Sequence, residues 1–315
     1  MEQLDEMLKQ AVRTYAGRHA NRDGLARTPI PGLRMMCVEA PGGDMHSIYR
    51  PLICLVLQGS KKMIVGSEQR IFSAGTSVIV SADMPVVGRI VQASRDEPYL
   101  AIAVELEMTL LRELGAQLGG AHAQRPSQIR TLFADDTEAA ALDCVSRLMR
   151  LLDRPDAVAL LRPGIIQELH YWLLSGPHGT ALRALADPDG HAGRLAAAIA
   201  ILRAEYRSRI PVERLAEAAA MSLTALHKHF KHMTSLTPGQ YQKRLRLIEA
   251  RRLMLDEGLS ASSAAFEVGY ESVSQFTREY GRLFQAPPKR DALRARSGSD
   301  DARERLQEIR MKAIA

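Results

Sequence analysis

Within residues 221–234, MSLTALHKHFKHMT, three histidines (His227, His229, His232) stand among Lys228 and Lys231. Clustered imidazoles can ligate a metal, and imidazoles among lysines can meet an anion. Helix geometry separates the two. At ~100° per residue, Leu223, Leu226, Phe230 and Met233 make one apolar face, with Thr224, Lys228 and Lys231 opposite and His227 at the border. His227 and His229 fall about 160° apart and cannot share an ion from one helix. His229 and His232 stand at i,i+3 and could meet, but a helical chelate uses i,i+4 and nothing nearby supplies a third ligand. The face of Thr224, His227, Lys228 and Lys231 can donate hydrogen bonds to an anionic partner.

The element that positions this face occurs twice. Fifty residues on, ESVSQFTREYGRLF (271–284) repeats the pattern: Ser222 aligns with Ser272, Leu226 with Phe276, Lys228 with Arg278, Phe230 with Tyr280 and Met233 with Leu283. Upstream, VERLAEAAAMS and SSAAFEVGYES each read as a short helix, a tight turn and a serine N-cap. Each copy is thus helix, turn, second helix. This alignment sets Ala219 opposite Gly269 at the turn. A helix-turn-helix lays the start of its second helix against base edges in the major groove of DNA. The second copy offers Ser274, Gln275, Thr277 and Arg278, and arginine pairs with guanine and glutamine with adenine.

Between the copies, TPGQYQKRLRLIEARRLMLDEG predicts one long helix, with Thr237 as N-cap, Pro238 at the first position and Gly258 as the stop. Tyr241, Leu245, Ile248 and Leu255 mark its expected buried stripe, and some of Lys243, Arg244, Arg246, Arg251 and Arg252 are placed to reach phosphates. About 20 residues span roughly 30 Å, against ~34 Å for a turn of DNA. Charge agrees: residues 1–190 carry a net charge of −2 and residues 191–315 of +8.

From about Leu195 to Leu293, the paired units and GYESVSQFTREYGRLF followed by PP resemble the AraC family of bacterial transcription regulators. The resemblance implies base-reading positions at Thr224, Ala225, His227 and Lys228, and at Val273, Ser274, Gln275 and Arg278. Ala225 and Val273 could offer only apolar contact, to a thymine methyl for instance. Lys231 joins the set from its place on the outer face. The chain departs from the family's motif around Gly281, where a basic residue before the last aromatic is usual, and that departure implies a weaker last helix.

The amino-terminal half reads differently. ICLVLQG, KMIVG, RIFSAG, TSVIVSA and VVGRIVQ are short β-type runs at regular spacing, a sandwich or small barrel. LVLQGSKKMIVGSEQRIFSAGTSVIV resembles a cupin-type jelly roll. With SGPHGTALRALA, the segment from about 25 to 190 is similar to the amino-terminal domain of one AraC subgroup, some members of which control aldehyde-detoxifying reductases. That likeness implies an effector-sensing domain and an aldehyde or other electrophile as signal. Cys37, Cys54 and His46 are the candidate sensing residues, and the cysteines read either as inert buried groups or as reactive thiolates. Helices over 137–175 pack within the chain or join two copies into a homodimer.

The expected fold class is α+β: a cupin-like β-barrel with appended helices, then an all-α domain with two helix-turn-helix units. Expected limits are 1–24 for an N-terminal helix or arm, 25–185 for the sensing and dimerisation domain, 186–193 for a linker, 194–296 for the DNA-binding domain and 297–315 for a charged tail. His46 is the one histidine of the β region, so a cupin metal set and metal catalysis are not expected. No phosphate loop or nucleophile elbow appears. Three widely spaced cysteines, the polar start MEQLDEMLKQ and the lack of a ~20-residue apolar run imply a reducing cytoplasm and no membrane span. The expected partners are promoter half-sites on double-stranded DNA, a small effector and RNA polymerase, with no cofactor. Activation is the family's usual mode, and repression stays open. The rival reading is an enzyme or cupin-like ligand-binding protein with no role on DNA.

Overall fold

A computed structural model describes residues 2–65, 68–118, 132–187 and 190–293. The tail 297–315 and part of the linker 186–193 lie outside the described residues. Packing divides the chain into two compact units, Met1–Ile199 with Glu213–Thr237, and Ala200–Val212 with Pro238–Ala315.

The first unit opens with α1 (Glu2–His19), an 18-residue helix that buries Leu8, Val12 and Ala16, one face at i,i+4 spacing. Strands follow: β1 (Leu25–Arg27), β2 (Leu33–Val38), β3 (Met45–Tyr49), β4 (Leu52–Gln58), β5 (Ser60–Val65), β6 (Glu68–Ser73), β7 (Thr76–Val80), β8 (Met84–Gln92) and β9 (Tyr99–Glu105). After α2 (Met108–Gln117) comes β10 (Leu132–Asp136), then α3 (Ala139–Arg150), α4 (Val158–Ser175), α5 (Gly179–Ala186) and the start of α6 (His191–Ala204).

The strands form two antiparallel sheets, ordered β1-β2-β9-β4-β7-β10 and β3-β8-β5-β6. This corrects the expected barrel: among the described residues each sheet keeps its own edges and the ladder does not close. The chain turns the corner from β4 to β5 at Gly59 alone, with φ 74° and a Cβ position that would lie 2.4 Å from the Gln92 carbonyl oxygen. One residue cannot carry the ladder from one sheet into the next, so the strand changes sheet there.

Between the sheets lies an apolar core that includes Leu52, Val56, Met63, Phe72, Val86 and Tyr99. One group breaks the pattern. Lys61 shares the inward face of β5 with Met63, its cross-strand neighbours Phe72 and Ile90 are buried, and it is 6% exposed. Its ammonium reaches the Tyr49 hydroxyl at 2.9 Å and the Met36 sulfur at 3.9 Å.

His170 on α4 is fully buried. Its Nε2 accepts from the Glu107 N–H at 2.9 Å, and its Nδ1 donates to the Ile166 carbonyl at 2.7 Å, so the ring is neutral. Burial holds its pKa below the ordinary 6.5, outweighing the Ile166 bond and the Glu107 charge. The unfolded chain therefore binds a proton that the folded chain refuses. The resulting stability is full above pH 6.5 and is lost as pH falls from 6.5 toward the folded value. Urea midpoints should drop between pH 7.5 and 5.5, and His170→Gln should flatten that slope.

Candidate nucleic-acid interface

The first unit also holds α7 (Val212–Ala218) from its second residue on and α8 (Leu223–Thr234), and α8 lies beside β8. The second holds α9 (Pro238–Asp256), α10 (Ala261–Glu267) and α11 (Val273–Phe284). Both expected serine caps are present: Ser222 Oγ accepts from the Ala225 N–H at 3.2 Å, and Ser272 Oγ from the Gln275 N–H at 3.3 Å.

In α8, Leu226, Phe230 and Met233 are buried with Leu215, Ala216 and Ala219 of the preceding helix and turn. Leu223, expected on that face, is 43% exposed, because the first turn of the helix projects past the core. Thr224, His227, Lys228 and Lys231 are exposed and Ala225 is half-buried. His229 stacks on the His191 ring at 3.8 Å between centroids. Burial first, then His191, Lys228 and His232, hold its pKa below the usual value, so it is no cation for a phosphate.

In α11, Phe276, Tyr280 and Phe284 recur every four residues and stack in sequence with centroids 5.4 and 4.4 Å apart. That ladder carries the helix through Gly281 to Phe284, so the weakening expected at Gly281 does not end it. The Tyr280 hydroxyl donates to Asp291 at 2.6 Å. Ser274, Gln275, Thr277 and Arg278 are exposed on the other side, with Val273 half-buried.

The two turns differ by one residue. Gly269 takes φ 87° and Tyr270 N–H bonds to Ala265; in the first copy Ala220 takes φ 47° and Met221 N–H bonds to Ala216. The left-handed position opposite Gly269 is therefore Ala220, and the buried Ala219 answers to the buried Val268. The pairing of Ala219 with Gly269 is corrected accordingly: the second turn has one extra residue before its cap, which an ungapped alignment cannot show.

The long helix also differs from expectation. It buries Tyr241, Leu247, Ala250, Leu253 and Met254, while Leu245, Ile248 and Leu255 are half-buried. These buried residues point to more than one side, so a single-stripe reading picks the wrong residues. Four of its cations are engaged inside the protein: Arg246 with the carbonyls of Tyr206, Arg207, Ser208 and Gly269, Arg251 with Asp291, Arg252 with Glu249 and Glu257, and Lys243 with Glu279. By contrast, Lys228, Lys231 and Arg278 have no ion-pair partner among the described residues. Sequence reasoning missed Glu279, whose carboxylate takes Lys243 Nζ at 2.8 Å, the Tyr270 hydroxyl at 2.8 Å and Gln275 Nε2 at 3.3 Å. Its i,i+4 spacing from Gln275 was the available signal.

The sensing candidates sit apart from these helices. Cys37 on β2 and Cys54 on β4 are half-buried, and His46 lies on β3. Burial, with Glu39 adding to it, raises the Cys37 pKa, and burial raises Cys54 against the pull of Lys61. Cys144 is buried and pushed up to about 11 by burial first and Glu168 next. At neutral pH all three are thiols.

Comparison with known proteins agrees with this layout. Residues 29–181 match the family described as AraC-type transcriptional regulator N-terminus, and residues 215–293 match a helix-turn-helix domain. The HTH-type transcriptional activator RhaS of Escherichia coli (strain SE11) is 32% identical over 110 residues, 35% of this chain and 39% of RhaS. The chain thus spans about two fifths of the curated relatives it matches. Unsaturated fatty acid-bound ToxT from Vibrio cholerae strain SCE256 superposes with a TM-score of 0.57 at 12% identity, over 82% of this chain and 94% of that one. ToxT from Vibrio cholerae O395 bound to (E)-4-(8-methylnaphthalen-1-yl)but-3-enoic acid gives 0.57 at 10% identity, over 84% and 99%. At these identities the likeness is one of fold.

Proposed function

The chain belongs to the AraC family of transcriptional regulators, and from that premise we propose that it binds promoter half-sites on double-stranded DNA through α8 and α11 and responds there to a small molecule. One observation carries the DNA reading. Two N-capped helices each turn a hydrogen-bonding face to solvent, and Lys228, Lys231 and Arg278 on them stay uncommitted while four of the five cations of α9, all but Arg244, are bound internally. Thr224, Ala225, His227, Lys228 and Lys231 face one groove segment, and Val273, Ser274, Gln275 and Arg278 face another. Activation through RNA polymerase, a homodimer and a cytoplasmic setting complete the reading. The exposed Leu160, Leu161 and Tyr171 on α4 support self-association there. No helix among the described residues is long and apolar enough to cross a membrane. The domain limits 25–185 and 194–296 go with this reading, and limited proteolysis inside 186–193 would test them.

Footprinting on randomised and promoter DNA at two salt concentrations tests the DNA half. Affinity should fall steeply with salt, as counterions released at phosphates demand. Arg278→Ala should relax preference at one base pair and cost about 1–3 kcal/mol. An equal loss on every sequence would make Arg278 a phosphate contact. No DNA binding at low salt would favour the rival, a ligand-binding protein or enzyme without a role on DNA.

The response half is supported by the sandwich interior, where Lys61, Tyr49 and Cys54 set polar groups among apolar walls. A fatty acid and a butenoic acid derivative are named for the ToxT structures. An acid would supply Lys61 with a counter-charge. Decanoate should raise the melting temperature of the wild type more than decanol does. Lys61→Met should melt higher without ligand and lose the decanoate response. The electrophile reading predicts instead that Cys37→Ser or Cys54→Ser abolishes a response to an added aldehyde.

A further inference from the structure

A carboxylate on a DNA-reading helix faces a polyanion and needs a reason to be there. Glu279 lies one turn beyond Gln275 on α11, and both its oxygens are used: Oε1 accepts from Lys243 Nζ at 2.8 Å and from Gln275 Nε2 at 3.3 Å, and Oε2 accepts from the Tyr270 hydroxyl at 2.8 Å. Tyr270 is 6% exposed and belongs to the core of this unit, so the carboxylate is anchored from below. The geometry points to Glu279 as a positioning residue that fixes the amide of Gln275 and so makes α11 select a base that presents an exocyclic amine in the major groove, adenine above all, over guanine, whose amine lies in the minor groove.

The reason lies in donors and acceptors. An ionised carboxylate only accepts, so it holds the NH2 end of Gln275 and leaves the amide oxygen turned away. An outward oxygen accepts from N6 of adenine or N4 of cytosine, and it meets only acceptors on guanine. The second amide hydrogen remains for adenine N7, which ranks adenine above cytosine. An untethered glutamine could flip its amide and donate to guanine. Here the flip would set oxygen against oxygen and break a charge-assisted bond. Lys243 supplies the counter-charge that lets Glu279 sit near phosphates. Burial pulls the Glu279 pKa up, but Lys243, Tyr270 and Gln275 together hold it below the usual carboxylate range, so the tether persists at neutral pH.

This inference rests on the reading of α11 as a DNA-contacting helix. The test is selection from a randomised operator library with the full chain and its variants Gln275→Ala, Glu279→Gln and Lys243→Met. The wild type should favour adenine over guanine about tenfold at one position, within the range for a bidentate contact. Gln275→Ala should flatten that position. Glu279→Gln, whose amide can still accept from Tyr270, should lose the adenine-over-guanine ratio there at an unchanged melting temperature; Lys243→Met, which leaves the Tyr270 and Gln275 bonds of Glu279 in place, should keep the ratio and lower affinity on every sequence alike. If Glu279→Gln leaves the profile unchanged where Gln275→Ala flattens it, Glu279 is only structural and the inference fails. If Gln275→Ala moves no position although DNA is bound, the inference fails and DNA binding stands. No enriched sequence for the wild type would overturn the premise and the inference with it.

Discussion

Replacing Gly269 with alanine is expected to destabilise the second helix-turn-helix by about 2–4 kcal/mol, within the range of steric backbone mutations. Two effects add. Gly269 holds φ 87°, where an L side chain costs about 1–2 kcal/mol. An alanine Cβ would also lie 1.9 Å from the Arg207 carbonyl oxygen, a backbone atom with little room to yield because Arg246 holds it at 3.1 Å. Amide hydrogen exchange across α10 and α11 would measure the loss, as a fall in protection of roughly a hundredfold. Wild-type protection in Gly269→Ala would mean that the Arg207 loop simply moves aside. The converse exchange, Ala220→Gly, relieves a left-handed alanine and should stabilise the first copy by about 1 kcal/mol.

Arg246→Met should cost about 3 kcal/mol, the scale of breaking several charge-assisted hydrogen bonds at once. Its Nε donates to the Tyr206 carbonyl at 2.6 Å, Nη1 to Gly269 at 2.9 Å, and Nη2 to Arg207 at 3.1 Å and Ser208 at 3.0 Å. Without the guanidinium, four carbonyls lose this donor and the loop over α9 loses its clamp. Lysine offers a point charge in place of a fork, so Arg246→Lys should recover less than half of the loss. DNA affinity will also fall, which alone would make Arg246 look like a phosphate contact. Exchange protection in the absence of DNA separates the two, because a phosphate contact would leave it unchanged. The double variant with Gly269→Ala should cost less than the sum, since both act on the Arg207 and Gly269 carbonyls.

What the sequence determined by itself is local. Serine caps at Ser222 and Ser272, the faces built on Leu226 and Phe276, and the inward Met63 of β5 follow from hydrogen bonds and periodicities that span about four residues or fewer. The exposure of Lys228 and Arg278 follows in the same way, as the other side of those faces. What only the tertiary structure decided is where long polar side chains end. Arg246 finds its carbonyls 23 to 40 residues away, Lys61 meets a hydroxyl 12 residues away on another strand, and Glu279 joins Lys243 from another helix. Such pairings are set by which elements pack together, so composition and spacing leave a cation on α9 equally suited to a phosphate or to a carbonyl. The extra residue of the second turn and the change of sheet between β4 and β5 belong to the same class. Each depends on backbone conformation at a single residue, Gly269 or Gly59, and on the distant carbonyl against which it is pressed.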